Sequence, residues 1–217
     1  MKIYSGPLSM FGAKAEIAAR EKGIDFALEM VGFNQQTLYK PNHPEVLRVN
    51  PKGQVPVLID GDLEIFDSTQ IFEYLEDRWP TPALWPLAPA ERARARLLEL
   101  TSDEVFFPPV SRVMALNGAS AHPDAGPACA AIVRCYDEMN RRLADRDYLA
   151  GTYSYADIAF FMAQYFAARH GVKMTSAAQP HLSAWRVRVA ERPAVAAVIG
   201  AMADYLRRTG LKVPEFE

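Results

Sequence analysis

The chain has 217 residues, of which 50% are hydrophobic and 23% are charged, and its formal net charge is −2. This composition is typical of a globular protein of one or two domains and excludes a mainly disordered chain. A nearly neutral chain without a long run of Lys or Arg is not expected to bind nucleic acid. No stretch approaches the roughly 18 apolar residues that would cross a membrane, so we expect no membrane partner.

Two cysteines and the first residues of the chain indicate the compartment. Cys129 and Cys135 are spaced neither as a redox pair nor as ligands of a zinc site, so we expect no metal. The first residues lack a charged segment followed by an apolar core, and no signal peptide is expected. We therefore expect a reduced, cytoplasmic setting.

Residues 1–78 alternate short apolar runs with helical patterns. The predicted strands and helices are, in chain order, β at 2–4, α at 11–22, β at 26–31, a short α around 46–47, β at 57–59, β at 63–66 and α at 68–78. The sequence Asp-Gly-Asp at residues 60–62 favours a hairpin between the last two strands. The first two strands are joined through a helix and form a parallel pair, so the order βαβαββα predicts a mixed sheet flanked by helices.

The rest of the chain predicts a linker and an all-helical domain. Four prolines within residues 79–89 are incompatible with a helix or a central strand and indicate a stiff linker. Helices are predicted at residues 90–116, 127–143, 155–169, 180–191 and 194–207. Pro108 and Pro109 should kink or break the first of these helices. We therefore expect an α/β domain at residues 1–78, a linker at 79–89 and an all-α domain at 90–217.

Pro56 directly precedes an apolar strand, and two interpretations are open. If the Val55-Pro56 bond is cis, the backbone turns sharply and the amide and carbonyl of Val55 face outward, where an extended peptide can pair with them. If the bond is trans, Pro56 only begins the strand.

Polar residues open three of the predicted helices. Asp67 and Ser68 form either an N-cap or a site for a zwitterion, with Asp67 holding the ammonium group and the helix N-terminus holding the carboxylate. Ser9 precedes the first helix, where an N-cap is again the simpler interpretation. Ser154 and Asp157 have the spacing of a capping box, a structural feature.

Taken together, these segments resemble the cytosolic glutathione S-transferase family. Within this family they resemble the serine-type, bacterial or theta-like members. The resemblance covers essentially the whole chain and includes the turn with Ser9, residues 50–56, Asp67 with Ser68, the proline-rich linker, the capping box at 154–157, and Trp185 with Arg192 and Pro193. It implies a thioredoxin-like first domain, an all-helical second domain, a homodimer, and glutathione as co-substrate.

The resemblance also implies site residues. Ser9 matches the serine that contacts the glutathione sulfur, with Tyr4 and Ser5 on the same turn as alternatives. The positions that match glutathione contacts are Lys40, His43, Lys52, Gln54, Val55, Pro56, Asp67 and Ser68. The positions expected to line a pocket for a hydrophobic electrophile are Met10, Phe11, Phe106, Phe107, Val110 and Met114.

The implied chemistry is activation of a thiol. A free thiol has a pKa of roughly 8.5, and a hydrogen bond to a charged group contributes roughly 1.5–3 kcal/mol, so a serine that favours only the thiolate would lower that pKa by about one to two units. We expect a detoxifying transferase that attacks hydrophobic electrophiles. The alternatives are a non-catalytic glutathione- or ligand-binding protein and a glutathione-dependent peroxidase, lyase or isomerase. The first domain has no cysteine, which disfavours chemistry through a mixed disulfide.

Overall fold

The computed structural model describes most of the chain as two compact units. The described residues are 1–34, 36–40, 42–118 and 122–215. Unit 1 comprises Met1–Ala83 and Ala196–Tyr205, and unit 2 comprises Leu84–Val195 and Leu206–Glu217. Among the described residues, no helix is both long and apolar enough to cross a membrane. The same residues contain no group of three or more His, Cys, Asp or Glu side chains that would hold a metal ion.

Unit 1 is built on a mixed sheet. Its elements are β1 (Lys2–Ser5), α1 (Met10–Glu21), β2 (Ala27–Met30), α2 (Pro44–Val49), β3 (Val57–Asp60), β4 (Leu63–Phe66) and α3 (Ser68–Arg78). In the described part of the chain, the strands form one sheet in the order β2-β1-β3-β4. β1 pairs in parallel with β2, and the other pairs are antiparallel. This confirms the expected βαβαββα order and the thioredoxin-like fold.

Alternation along β1 divides the apolar residues between two cores. Ile3 packs with Ala15 of α1 on one face of the sheet. Tyr4 packs with Val46 of α2 on the other face. Because successive side chains of a strand point to opposite faces, Ser5 shares the α1 face with Ile3.

The C-terminal end of α1 is tied down by a buried cation. Lys22 is fully buried, and its ammonium group makes an ion pair of 2.6 Å with Glu76 near the end of α3. It also donates to the backbone carbonyls of Trp79 at 2.6 Å and Pro82 at 2.9 Å. An ammonium group has three donors, so these three acceptors satisfy it completely.

Unit 2 is helical, as expected. Its elements are α4 (Pro89–Thr101), a π-helical segment (Ser102–Phe106), α5 (Phe107–Ala115), α6 (Ala125–Arg142), a 3₁₀ turn (Leu143–Asp145), α7 (Tyr155–Arg169) and α8 (Pro180–Ala190). α9 (Pro193–Arg208) follows, and its middle belongs to unit 1.

The single helix predicted at residues 90–116 is interrupted by the π-helical segment. The amide of Phe107 donates to the carbonyl of Ser102, five residues earlier. Pro108 and Pro109 follow, and each lacks an N–H and carries a ring that would collide with the carbonyl four residues before it. The wider π turn precedes the prolines and the chain continues as α5, so the expected interruption occurs without breaking the helix.

A buried carboxylate anchors the start of α7. Asp157 accepts hydrogen bonds from the amides of Ser154 and Leu149, each at 2.9 Å, and from the indole N–H of Trp185 at 2.8 Å. The predicted capping box is thus confirmed. Burial outweighs these donors and raises the pKa of Asp157 to about 6.

Candidate active site

The register of the sheet brings four separate segments to one end of it. Ser5 of β1 lies opposite Met30 of β2, Tyr4 lies opposite Val57 of β3, and Val57 lies opposite Phe66 of β4. The turn after β1, the loop after β2, the residues before β3 and the start of α3 therefore all leave this end of the sheet. We call it the site end, since the predicted glutathione contacts lie on these segments.

Ser9 is the N-cap of α1. Its hydroxyl oxygen accepts a hydrogen bond of 3.0 Å from the amide of Gly12, and its own amide donates to the carbonyl of Gly6 at 3.1 Å. The first turn of α1 carries no carboxylate, so nothing in that turn neutralises the positive end of the helix dipole. Capping uses only a lone pair of the hydroxyl oxygen, so the hydroxyl hydrogen is left to donate. The capping and thiol-binding interpretations of Ser9 are therefore compatible.

The two alternatives to Ser9 lie on opposite faces of the sheet. Tyr4 is buried in the core beside α2, with its ring centroid 5.1 Å from that of His43. Ser5 is buried on the face that α1 covers, where its side chain contacts Gly12. The structure thus places Ser5, and not Tyr4, on the face of the sheet against which Ser9 caps its helix.

Gly12 is a site residue that the sequence pattern did not single out. A Cβ at this position would collide with the side chain of Ser5 and would lie 3.1 Å from the hydroxyl oxygen of Ser9. A glycine inside a helix usually lowers its stability. Here it gives the first turn of α1 room to approach both serines.

The loop before β3 is held by Asn50. The Val55-Pro56 bond is cis, one of the two forms left open by the sequence. Asn50 is 4% exposed. Its side-chain oxygen accepts from the amide of Lys52 at 2.9 Å, and its side-chain nitrogen donates to the carbonyl of Gln54 at 2.6 Å. Asn50 therefore fixes the loop whose exposed side chains are predicted to meet glutathione. The sequence motif contained this residue but indicated no role for it.

Asp67 caps α3. One oxygen of its carboxylate, Oδ1, accepts from the amides of Thr69 at 3.0 Å and Gln70 at 3.2 Å. Its φ of 78° is uncommon for a residue other than glycine. Ser68, the next residue, is buried. Because Asp67 itself occupies two amides at this helix end, the capping interpretation is confirmed, and an incoming anion cannot use those two amides.

The loop after β2 carries the predicted basic contacts. His43 caps α2, and its Nδ1 accepts from the amide of Glu45 at 3.2 Å, so the neutral ring carries its hydrogen on Nε2. Lys40 is exposed. The sequence pattern did not indicate Tyr39, whose hydroxyl oxygen lies 2.6 Å from the place that a Cβ on Gly6 would take. Gly6 therefore admits the ring of Tyr39 against the turn that carries Ser9.

The residues expected to line the electrophile pocket belong to both units. Met10 is buried and Phe11 is partly exposed in unit 1. In unit 2, Phe106 and Val110 are buried, and the Phe106 ring centroid is 4.8 Å from that of Phe160 in α7. Phe107 and Met114 are partly exposed. Their role in a pocket remains a prediction.

Family models match both units. Residues 8–78 match the glutathione S-transferase N-terminal domain, and residues 123–193 match the glutathione S-transferase C-terminal domain.

The chain is similar in sequence to two differently named groups of proteins. Glutathione S-transferase 3 of Zea mays is 31% identical over 218 residues, which cover 93% of this chain and 94% of the relative. A stringent starvation protein A homolog of Coxiella burnetii is 36% identical over 109 residues, which cover 49% of this chain. The chain therefore spans about half the length of that relative, or 48%.

A solved structure supports the same relationship. The theta class glutathione S-transferase of Xanthomonas axonopodis pv. citri, solved with glutathione bound, is 26% identical and has a TM-score of 0.78. The match covers 90% of this chain and 95% of that one.

Proposed function

The chain belongs to the glutathione S-transferase family, and we propose that it binds glutathione at the site end and ionises its thiol for attack on hydrophobic electrophiles. Ser9 carries this proposal. Its oxygen caps α1, its hydrogen is left to donate, and it stands at the positive end of the α1 dipole. A donor to a charged group contributes roughly 1.5–3 kcal/mol, which favours the thiolate over the thiol.

The proposed step needs no basic side chain beside Ser9. The thiol proton leaves to solvent, and the Ser9 hydroxyl donates a hydrogen bond to the resulting thiolate. The sulfur lone pair then forms the bond to the electrophile, whose leaving group departs with its bonding electrons. Ser9 is therefore a donor to the nucleophile and forms no covalent bond itself.

The remaining contacts follow the tripeptide along the site end. They involve Lys40, His43, Lys52, Gln54, Val55, Pro56, Asp67 and Ser68. Both capping bonds of Asp67 end on Oδ1, so Oδ2 is left for the ammonium group of the γ-glutamyl residue. The Nε2–H of His43 is the donor that this ring offers to the glycine carboxylate.

Calorimetric titration with glutathione tests the binding half of the proposal. Asp67→Asn keeps a side-chain oxygen that can cap α3 but loses the negative charge. We expect it to weaken glutathione binding about fivefold, since an exposed ion pair contributes up to about 1 kcal/mol. Asp62→Asn is the matched control, because Asp62 is an exposed aspartate in the hairpin turn at the opposite end of the sheet.

Two results would contradict the proposal. Equal affinities for the wild type and Asp67→Asn would remove Asp67 from the γ-glutamyl contact. A wild type that does not bind glutathione at all would refute the function itself.

The similarity to stringent starvation protein A homologs favours a second candidate, a non-catalytic glutathione- or ligand-binding protein. The two candidates differ in the thiol. A transferase lowers the pKa of bound glutathione, whereas a protein that only binds it leaves that pKa near the free value. Peroxidase, lyase and isomerase variants share the thiolate and are distinguished by product analysis with the corresponding substrates.

A homodimer is part of the proposal. Leu97 and Leu100 on α4 and Val105 on the π-helical segment are 61%, 51% and 58% exposed. Exposed apolar rows of this kind are typical of surfaces that contact another protein. Sedimentation equilibrium tests whether the protein associates.

A further inference from the structure

Ser5 carries a hydroxyl group that is buried without a hydrogen-bond partner among the described residues. The residue is 1% exposed, and among the described residues its Oγ has no hydrogen-bond partner. A buried hydroxyl without a partner costs roughly 1–3 kcal/mol relative to its hydration in the unfolded chain. A group of this kind in a folded protein calls for an explanation, and Ser5 lies at the site end of β1.

The surroundings of Gly12 show what this hydroxyl faces. A Cβ on Gly12 would lie 3.1 Å from Ser9 Oγ and 3.2 Å from Ser5 Cβ, and it would collide with Ser5 Oγ. Both hydroxyl groups therefore lie beside the position that a Cβ on Gly12 would take. The amide of Gly12 already donates to Ser9 Oγ at 3.0 Å. The strand thus places a buried hydroxyl, which has no partner among the described residues, beside the same glycine whose amide donates to Ser9 Oγ.

We propose that Ser5 is a positioning residue for Ser9. When the thiolate is bound, rotation about the Cα–Cβ bond of Ser5 lets its hydroxyl donate to Ser9 Oγ. The Ser9 oxygen then accepts from two donors, the amide of Gly12 and the hydroxyl of Ser5. A hydroxyl oxygen has two lone pairs, so its own hydrogen is left with one direction, toward the sulfur.

Two physical effects follow from this arrangement. The Ser9 hydrogen no longer samples other directions, so less orientational freedom is lost when the sulfur binds. Donation into the Ser9 oxygen also polarises its O–H bond, because hydrogen bonds in a chain strengthen one another by about 10–30%. Both effects favour the thiolate. The inference rests on the proposed function, since it needs glutathione to be bound.

The test is an ultraviolet titration of the thiolate of bound glutathione. It compares the wild type with Ser5→Ala, Ser9→Ala and the double variant. We expect Ser5→Ala to raise the pKa of the bound thiol by about 0.3–0.5 unit, a two- to threefold change in its ionisation constant. In the Ser9→Ala background, Ser5→Ala should change nothing further, because the residue that Ser5 positions is gone.

Two further variants serve as controls. Ser102→Ala removes another fully buried hydroxyl that has no partner among the described residues, and it should leave the thiol pKa unchanged. Ser5→Gly also lacks the hydroxyl and serves as the second variant if Ser5→Ala does not fold.

Different failures have different meanings. If the pKa of the bound thiol in Ser5→Ala equals that of the wild type, the positioning role is overturned. It is also overturned if Ser5→Ala raises this pKa by the same amount in the Ser9→Ala background as in the wild type. A drop in the free energy of unfolding with no shift in thiol pKa also overturns it and shows a structural role. A wild type that binds no glutathione refutes the proposed function, and the role of Ser5 with it.

Discussion

Replacing Ser9 by alanine removes the N-cap that the structure shows and the hydrogen bond to the thiolate that we propose. Loss of the N-cap should lower the free energy of unfolding by about 0.5–2 kcal/mol. Loss of the donor should raise the pKa of bound glutathione by about one to two units, from about 6.5–7.5 toward 8.5. At pH 7 the thiolate fraction would then fall from about 24–76% toward about 3%. We therefore expect turnover near neutral pH to fall roughly 8- to 25-fold.

Two variants separate the cap from the donor. Ser9→Gly should cost only a few tenths of a kcal/mol of stability, because glycine is tolerated at an N-cap, yet it lacks the hydroxyl. Ser9→Thr keeps both the cap and the hydroxyl. We expect the glycine variant to be folded like the wild type and slow like the alanine variant, and the threonine variant to retain most of its turnover.

The assay is the initial rate of conjugation to a hydrophobic aryl halide, measured from about pH 6 to about pH 9, with urea unfolding in parallel. The rate profile of Ser9→Ala should shift to higher pH and approach that of the wild type above the pKa of the thiol. A rate loss of the same size at every pH would refute the reasoning, because Ser9 would then not act on ionisation. An unshifted profile in Ser9→Gly would refute it as well.

Two other predictions concern stability. Lys22→Met should lower the free energy of unfolding by about 3–5 kcal/mol in urea, because it removes the buried ammonium group that pairs with the largely buried carboxylate of Glu76. Asp157 has a pKa raised to about 6 by burial, against 3.8 in the unfolded chain, so the folded state takes up its proton first as the pH falls. The free energy of unfolding of the wild type, relative to Asp157→Asn, should therefore rise by about 2–3 kcal/mol between pH 7 and pH 4.

Each of these has a result that would contradict it. If Glu76→Gln does not restore part of the stability in the Lys22→Met background, the loss does not come from the broken ion pair between Lys22 and Glu76. If the stability difference between the wild type and Asp157→Asn is constant from pH 7 to pH 4, the carboxyl group has the same pKa in both states.

Periodic features of the sequence predicted most of the fold. Alternation and helical spacing located the strands and the helices of unit 1, since these patterns reflect which side chains are buried. These patterns could not predict the π-helical segment Ser102–Phe106. Pro108 and Pro109 indicated an interruption, but a kink, a break and a wider turn all relieve the same clash with the preceding carbonyls.

The candidate site was predictable where a side chain acts close to its own position in sequence. Ser9 and Asp67 precede helices and cap them, which a local pattern can indicate. Gly12 and Ser5 are in contact because α1 packs on β1. A local sequence pattern cannot predict a contact between two different elements. The same limit applies to Lys22, whose partners are about 55–60 residues away in sequence.

The sheet register that gathers the site segments at one end leaves the opposite end available for attachment to a solid support. The hairpin turn between β3 and β4 lies there, with Gly61 and Asp62 exposed. Met1 lies there too, but its amino group is 3.7 Å from Asp60, so a fusion at Met1 would disturb that ion pair. A linker joined at Asp62 would tether the protein with the Ser9 turn directed away from the support. The hairpin turn is therefore the natural anchor for an immobilised form of the protein.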